Sequence, residues 1–134
     1  MIGDTIKIRQ QATDPWGGGL PGQVSNEVTL VKVNQDGYGS EYRYQIPDGG
    51  RYVLKVRNSV EPATALRPAY NRHNIELTYV DPADPDVGKP EHTFVYYSIW
   101  RVPIGATLDL AYALAYALGY NFESNMKKIH NFES

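Results

Sequence analysis

Apolar and polar positions alternate with a period of two through much of residues 5–102, the pattern of half-buried β-strands. Thr5 to Gln10 sets Ile6 and Ile8 against Thr5, Lys7 and Arg9. Glu27 to Val33 sets Val28, Leu30 and Lys32 against Thr29, Val31 and Val33, and Glu41 to Ile46 sets Tyr42, Tyr44 and Ile46 against Glu41, Arg43 and Gln45. Arg51 to Arg57 is the cleanest run, with Tyr52, Leu54 and Val56 on one face and Arg51, Val53, Lys55 and Arg57 on the other. Asn71 to Val80 opposes His73, Ile75, Leu77 and Tyr79 to Arg72, Asn74, Glu76 and Thr78. Thr93 to Val102 opposes Phe94, Tyr96, Ser98 and Trp100 to Thr93, Val95, Tyr97, Ile99 and Arg101.

Turn chemistry separates these runs. Asp14 to Gly22 is rich in Gly and Pro and reads as a loop. Asn34-Gln35-Asp36-Gly37 carries the Asp-Gly hairpin signal, and Pro47-Asp48-Gly49-Gly50 is a tight turn. Residues 59–70 are expected to be a proline-containing connection. Asp81 to Glu91 is the most polar stretch, with Asp81, Pro82, Asp84, Pro85, Asp86, Gly88, Lys89 and Pro90, and is expected to be a long, exposed, semi-rigid loop.

The period changes after Pro103. Thr107 to Leu118 places Leu108, Ala111, Tyr112, Ala115 and Leu118 at helical spacing, with Asp109 suited to the first turn and Gly119 expected as the stop. Asn121 is expected to cap a second short helix with Phe122, Met126 and Ile129 on its apolar side. The repeated Asn-Phe-Glu-Ser, at 121–124 and 131–134, reads as coincidence.

The expected class is α+β: an antiparallel β-meander with an N-terminal hairpin, followed by two C-terminal helices. Residues 1–134 form one domain, with the N-terminal hairpin and first strands in 1–34, the central sheet in 41–102 and the helices in 105–131. Two small helices do not cover a sheet face and also bury both of their own sides. A dimer in which the helices of each subunit lie across the sheet of the other is the economical solution.

Composition changes this picture in a few places. The net charge is -2, so contact with a polyanion has to come from a local patch, and Arg51, Lys55 and Arg57 on one strand face are such a patch. A charged strand face is ordinarily just a solvated one. Arg43 and Arg101 have cross-strand partners to hand in Glu41 and Glu76. The absence of cysteine excludes disulfides and thiolate chemistry. No apolar run approaches the roughly 18 residues of a membrane span. Met1-Ile2-Gly3-Asp4 shows no secretory pattern, so a cytosolic chain is the expectation. Eleven tyrosines suit pleated surfaces and interfaces.

Nothing reads as catalytic. No serine sits in a nucleophile elbow, and no glycine-rich phosphate loop follows a strand. His73, His92 and His130 are far apart, which disfavours zinc, and His73 falls on the packed face as a core histidine. Asp81, Asp84, Asp86 and Glu91 lack calcium-loop spacing. The expectation is therefore a non-enzyme with no metal, no cofactor and no small-molecule substrate.

The order of these elements resembles the coat proteins of single-stranded RNA bacteriophages. Val53-Leu54-Lys55-Val56-Arg57, a short connection, and Asn71-Arg72-His73-Asn74 opening the next strand are similar to that family's central strands, and the Val102-Pro103 exit into a helix is similar too. The resemblance covers essentially the whole chain. It implies an interlocked homodimer with a continuous sheet, assembled into an icosahedral shell around a single-stranded RNA genome, with no membrane partner. It implies a virion protein assembled in the cytoplasm of a bacterial host.

The resemblance places RNA on the non-core strand faces: Arg43, Arg51, Val53, Lys55, Arg57, Asn74, Glu76, Thr78, Tyr97 and Arg101. Lys55 and Arg57 suit phosphates, Tyr97 suits base stacking, and Asn74 and Thr78 suit base edges. It assigns residues 81–91 to contacts around the shell's symmetry axes, and Leu108, Tyr112, Ala115, Leu118, Phe122, Met126 and Ile129 to the dimer. In several members the inner face also binds one RNA hairpin as a translational repressor. This chain departs from that pattern at Val53, where a small hydroxyl residue is usual, and at Glu76, where lysine is common. A different reading is a β-rich module binding carbohydrate or protein, with Trp16, Trp100 and the tyrosines as its stacking surface.

Overall fold

The computed structural model describes residues 3–9, 27–47, 49–107 and 109–120. Six strands follow in chain order: β1 (Thr5–Arg9), β2 (Glu27–Gln35), β3 (Gly39–Gln45), β4 (Arg51–Glu61), β5 (Tyr70–Asp81) and β6 (His92–Pro103), with helix α1 (Asp109–Tyr120) after them. They form one mostly antiparallel sheet in which sequence neighbours lie side by side. This is the expected meander.

The chain divides into two compact units, one of residues 1–59 and 73–99, the other of 60–72 and 100–134. The first holds the core. Its register puts Ile6 opposite Leu30 and Ile8 opposite Val28, then Tyr42 opposite Leu54 and Tyr44 opposite Tyr52. Directly opposed residues share a face, so the even-numbered apolar residues of β1 to β4 converge. Val28, Leu30, Tyr42, Ile46, Tyr52, Leu54 and Val56 are buried, with Ile75, Leu77 and Tyr79 of β5 packed against them. Rings cross four strands in a row: Tyr44 to Tyr52 at 6.5 Å, Tyr52 to Tyr79 at 5.0 Å, and Tyr79 to Phe94 at 6.1 Å between centroids. Burial pushes the Tyr52 hydroxyl pKa up to about 12. Lys32 shares the core face as expected. It lies over the Tyr42 ring at 5.9 Å while its ammonium reaches Asp4 and Gln35. The Tyr42 hydroxyl donates to the Gly3 carbonyl at 2.9 Å.

The first turn falls two residues later than expected. β2 runs on to Gln35, and the register shifts between Lys32 and Asn34, leaving Val33 as a bulge residue. The Asp36 carboxylate then accepts from the backbone N–H of Tyr38 and of Gly39, both at 2.8 Å. The second turn is closed by Ile46 N–H to the Gly50 carbonyl at 2.7 Å, with Gly49 at φ +102°. β4 extends to Glu61, so residues 59–61 belong to the strand rather than to the proline connection. His73 is half-buried, and its Nδ1 lies 2.7 Å from Asn58 Oδ1.

Residues 82–91 are the mostly exposed connection between β5 and β6, and it is pinned across its base. Asp84 and Lys89 make a two-residue bridge with reciprocal backbone bonds of 2.8 Å, Gly88 turns at φ +68°, and Lys89 Nζ reaches Asp81 Oδ2 at 2.6 Å. The segment is a closed tip whose Asp84, Asp86 and Val87 face solvent.

In the second unit, Thr64 and Arg67 close the β4–β5 connection with a similar bridge, and Ile104 N–H donates to the Ala69 carbonyl at 3.0 Å. Helix α1 begins at Asp109 and continues through Gly119 to Tyr120, so Gly119 is not its stop. A glycine near a helix end costs about 1 kcal/mol relative to alanine, which the Ala-rich run tolerates. Tyr112 and Ala115 of the expected dimer face are exposed. Leu108, the Leu118 side chain, and Phe122, Met126 and Ile129 of the expected second helix lie outside the described residues.

Gly39 faces Arg57 across the β3–β4 ladder, and a Cβ there would run into the Val56 carbonyl oxygen. Gly39→Ala is expected to destabilise the fold by about 1–3 kcal/mol, read as a lower urea midpoint at fixed protein concentration. Gly37→Ala, with open space around its Cβ, is expected to leave the midpoint nearly unchanged. Equal effects would show that the close approach at Gly39 does not constrain the register.

Candidate nucleic-acid interface

The non-core face of the first unit is set by the same register. On β4, Arg51, Lys55 and Arg57 are exposed and Val53 is half-buried. They stand opposite Gln45, Glu41, Gly39 and Arg43 respectively on β3. A shallow, open hollow lies beside Arg57 and Gly39, lined also by Asn34, Gln35, Asp36, Ser40, Glu41 and Lys55. The β2 bulge contributes here: it brings Asn34, not Val33, opposite Glu41, giving the cross-strand row Asn34–Glu41–Lys55.

The electrostatics are more balanced than the strand alone suggested. Arg43 is held by Glu41, its neighbour along the same strand face, at 2.6 Å. Lys55 stands opposite that same carboxylate. The Asp36 carboxyl is held below the usual carboxylate range by the Tyr38 and Gly39 N–H groups and the nearby Arg57 charge. Each β4 cation past Val53 therefore has an acid close by. What distinguishes the hollow is mixed chemistry: two cationic side chains, two amides, a hydroxyl and two carboxylates around an opening.

On β5, the Asn74 amide oxygen is buried with no hydrogen-bond partner, and the Thr78 hydroxyl lies 3.5 Å from Glu76. A buried acceptor without a partner costs on the order of 1–3 kcal/mol. Tyr97 on β6 is 66% exposed, as base stacking requires. Trp100 is half-buried, and Trp16, the other tryptophan of the expected stacking surface, lies outside the described residues.

Arg101 belongs to the second unit and pairs with Glu61, not Glu76. Its Nε lies 3.2 Å from both carboxylate oxygens and its Nη2 2.6 Å from Oε2. Arg67 and Arg72 approach the same carboxylate at 3.7 and 3.9 Å, and the Tyr70 ring lies 5.0 Å from the Arg101 guanidinium carbon. Sequence reasoning missed Glu61, Arg67 and Arg72. The signal was present: beyond Arg57, odd positions Ser59 and Glu61 continue the polar face, which carries β4 past the end assigned to it.

The closed tip at 82–91 is held by Lys89, whose pKa is raised by its hydrogen bond to Asp81. Among the described residues no group of His, Asp and Glu is gathered to hold a metal ion, and no helix is long and apolar enough to cross a membrane.

Glu61 offers a pH test. Its pKa lies below the usual glutamate range, chiefly through the Arg101 hydrogen bonds. A folded pKa below the unfolded one means that its stabilisation is present above the usual range and is lost as pH falls through the lowered value. Carboxyl-detected NMR titration is expected to give a Glu61 midpoint below that of an ordinary glutamate, returning towards it in Arg101→Gln. An ordinary midpoint in the unaltered chain would show that the guanidinium does not hold the carboxylate.

No curated protein matches the chain. The family model described as "Phage phiCb5, coat protein" matches residues 5–103, from the first residue of β1 to the last of β6. That span contains the whole sheet, the hollow beside Arg57 and the Glu61 cluster, and by it the chain belongs to the phage phiCb5 coat protein family.

Proposed function

We propose that this structural capsid protein, a virion component by its family, works as a homodimer that assembles into an icosahedral shell around single-stranded RNA. The observation that carries the dimer is the apolar surface of β6. Phe94, Val95, Tyr96, Tyr97 and Ile99 are 45% to 66% exposed on a strand that ends the described sheet. Over residues 92–97 both faces of β6 are exposed, where the alternation predicted one packed face. A chain adding a strand beside β6 would cover these residues and extend the sheet.

Magnitudes say what else is needed. Covering the exposed half of five such side chains in each of two copies gives on the order of 10 kcal/mol. Association costs about 4–15 kcal/mol, so β6 alone roughly breaks even. Helix α1 supplies the surplus: Leu110, Tyr112 and Leu114 are 64% to 70% exposed and suit a partner subunit's sheet. The resulting arrangement is the interlocked dimer, with residues 82–91 left to meet further dimers.

Lys55 and Arg57 border the hollow and contact RNA phosphates, and Tyr97 stacks a base. The half-buried Val53 and the Glu76–Thr78 pair favour general genome contact over one hairpin pocket.

Val95→Glu with Ile99→Glu is expected to weaken dimerisation by tenfold or more, about 1.4 kcal/mol, in native mass spectrometry. Particles seen by electron microscopy should disappear while circular dichroism keeps its strand signal. Unchanged particles would refute pairing through β6. Lys55→Ala with Arg57→Ala is expected to lower RNA per particle more than particle yield. Normal RNA content in that variant would refute the proposed contact face.

A further inference from the structure

We propose that Arg67, Arg72 and Arg101, gathered on the Glu61 carboxylate, form a phosphate-binding clamp for the backbone of single-stranded RNA. The inference rests on the reading of the protein as a shell around RNA, and it adds a second contact site in which Arg67 and Arg72 join Arg101.

Residues 60–72 and 100–120 contain three cations, and all three converge on one acid. One guanidinium is enough to neutralise one carboxylate. Arg101 does so, spending Nε and Nη2 on Glu61. Arg67 and Arg72 sit at 3.7 and 3.9 Å, beyond good hydrogen-bonding distance, so most of their donors are unspent. Two surplus positive charges held around one carboxylate repel each other, and an arriving anion relieves that repulsion. The arrangement is also ordered in advance. Glu61 fixes Arg101 from one side and the Tyr70 ring lies against its guanidinium.

A phosphodiester fits this geometry. Its two non-bridging oxygens match the fork of a guanidinium, and its single charge repeats along a strand, so neighbouring phosphates meet Arg67 and Arg72 in turn. Arg67, Arg72 and Arg101 keep 38% to 46% of their side-chain surface open to solvent. The β4 face differs in the point that matters: there Lys55 and Arg57 have Glu41 and Asp36 beside them. The larger uncompensated charge is at Glu61, where the strand pattern did not place it.

The test is fluorescence anisotropy of a short fluorescein-labelled oligouridine with the full-length chain, between about 50 and 200 mM salt. Arg67→Gln with Arg72→Gln leaves the Arg101–Glu61 pair in place. It is expected to make the dependence of log affinity on log salt shallower by about 1.4, or about 0.7 for each lost phosphate contact on a single strand. Circular dichroism and particle yield should stay as in the unaltered chain. Arg67→Lys with Arg72→Lys is expected to restore most of the slope, since charge carries it. An unchanged slope in the glutamine variant overturns the clamp. Lost particles with an unchanged slope also overturn it, and show that the cluster meets a carboxylate of a second copy instead. The Lys55→Ala, Arg57→Ala variant separates the two sites. If it weakens binding while the arginine variant does not, the clamp alone fails. If the unaltered chain shows no salt-dependent binding, the RNA reading of the protein fails with it.

Discussion

The register between β3 and β4 is the constraint on which the rest depends. With Tyr42 opposite Leu54 and Tyr44 opposite Tyr52, the aromatic row and the buried cluster fall on one face and Glu41, Arg43 and Lys55 on the other. A slip of one residue would exchange those faces completely. Two features resist it. Asp36 ties down the turn by accepting from Tyr38 and Gly39, and Gly39 admits the Val56 carbonyl where any side chain would not fit. Gly39 also borders the hollow beside Arg57, so the site and the register share one residue.

From that register comes an uneven distribution of exposed apolar surface. The aromatic row runs from Tyr44 through the buried Tyr52 and ends at Phe94, which is 59% exposed. β2 to β4 bury their apolar face within the chain; β6 and α1 leave theirs open. A protein of a coat family has reason for this division, because a subunit that satisfied all its own surface would have nothing to assemble with.

Much of the fold was legible in the alternation, since period two decides which residues meet once strands pair. The buried sets Val28 and Leu30, Tyr42 and Ile46, and Tyr52, Leu54 and Val56 follow from it directly. Strand ends were not legible, because Asn58 and Ser59 weaken the strand preference without ending it, and β4 continued to Glu61. The bulge at Val33 has no composition signal, so the row Asn34–Glu41–Lys55 was hidden. The partner of Arg101 is hidden for the same reason as the end of β4: Glu61 stands directly before Pro62, where the sequence reads as a connection. Of the candidate site, the exposure of Lys55 and Arg57 was legible; alternation alone favours packing for Tyr97, which is 66% exposed, and the acids that offset Lys55 and Arg57 become visible only once strands are paired.

The closed tip between β5 and β6 has an entropic consequence. With Asp84 and Lys89 bonded in both directions and Lys89 reaching Asp81, the tip has fewer backbone conformations open to it than an unbridged loop of the same length. A neighbour that met Val87 would find a surface already ordered, with less entropy left to lose on contact.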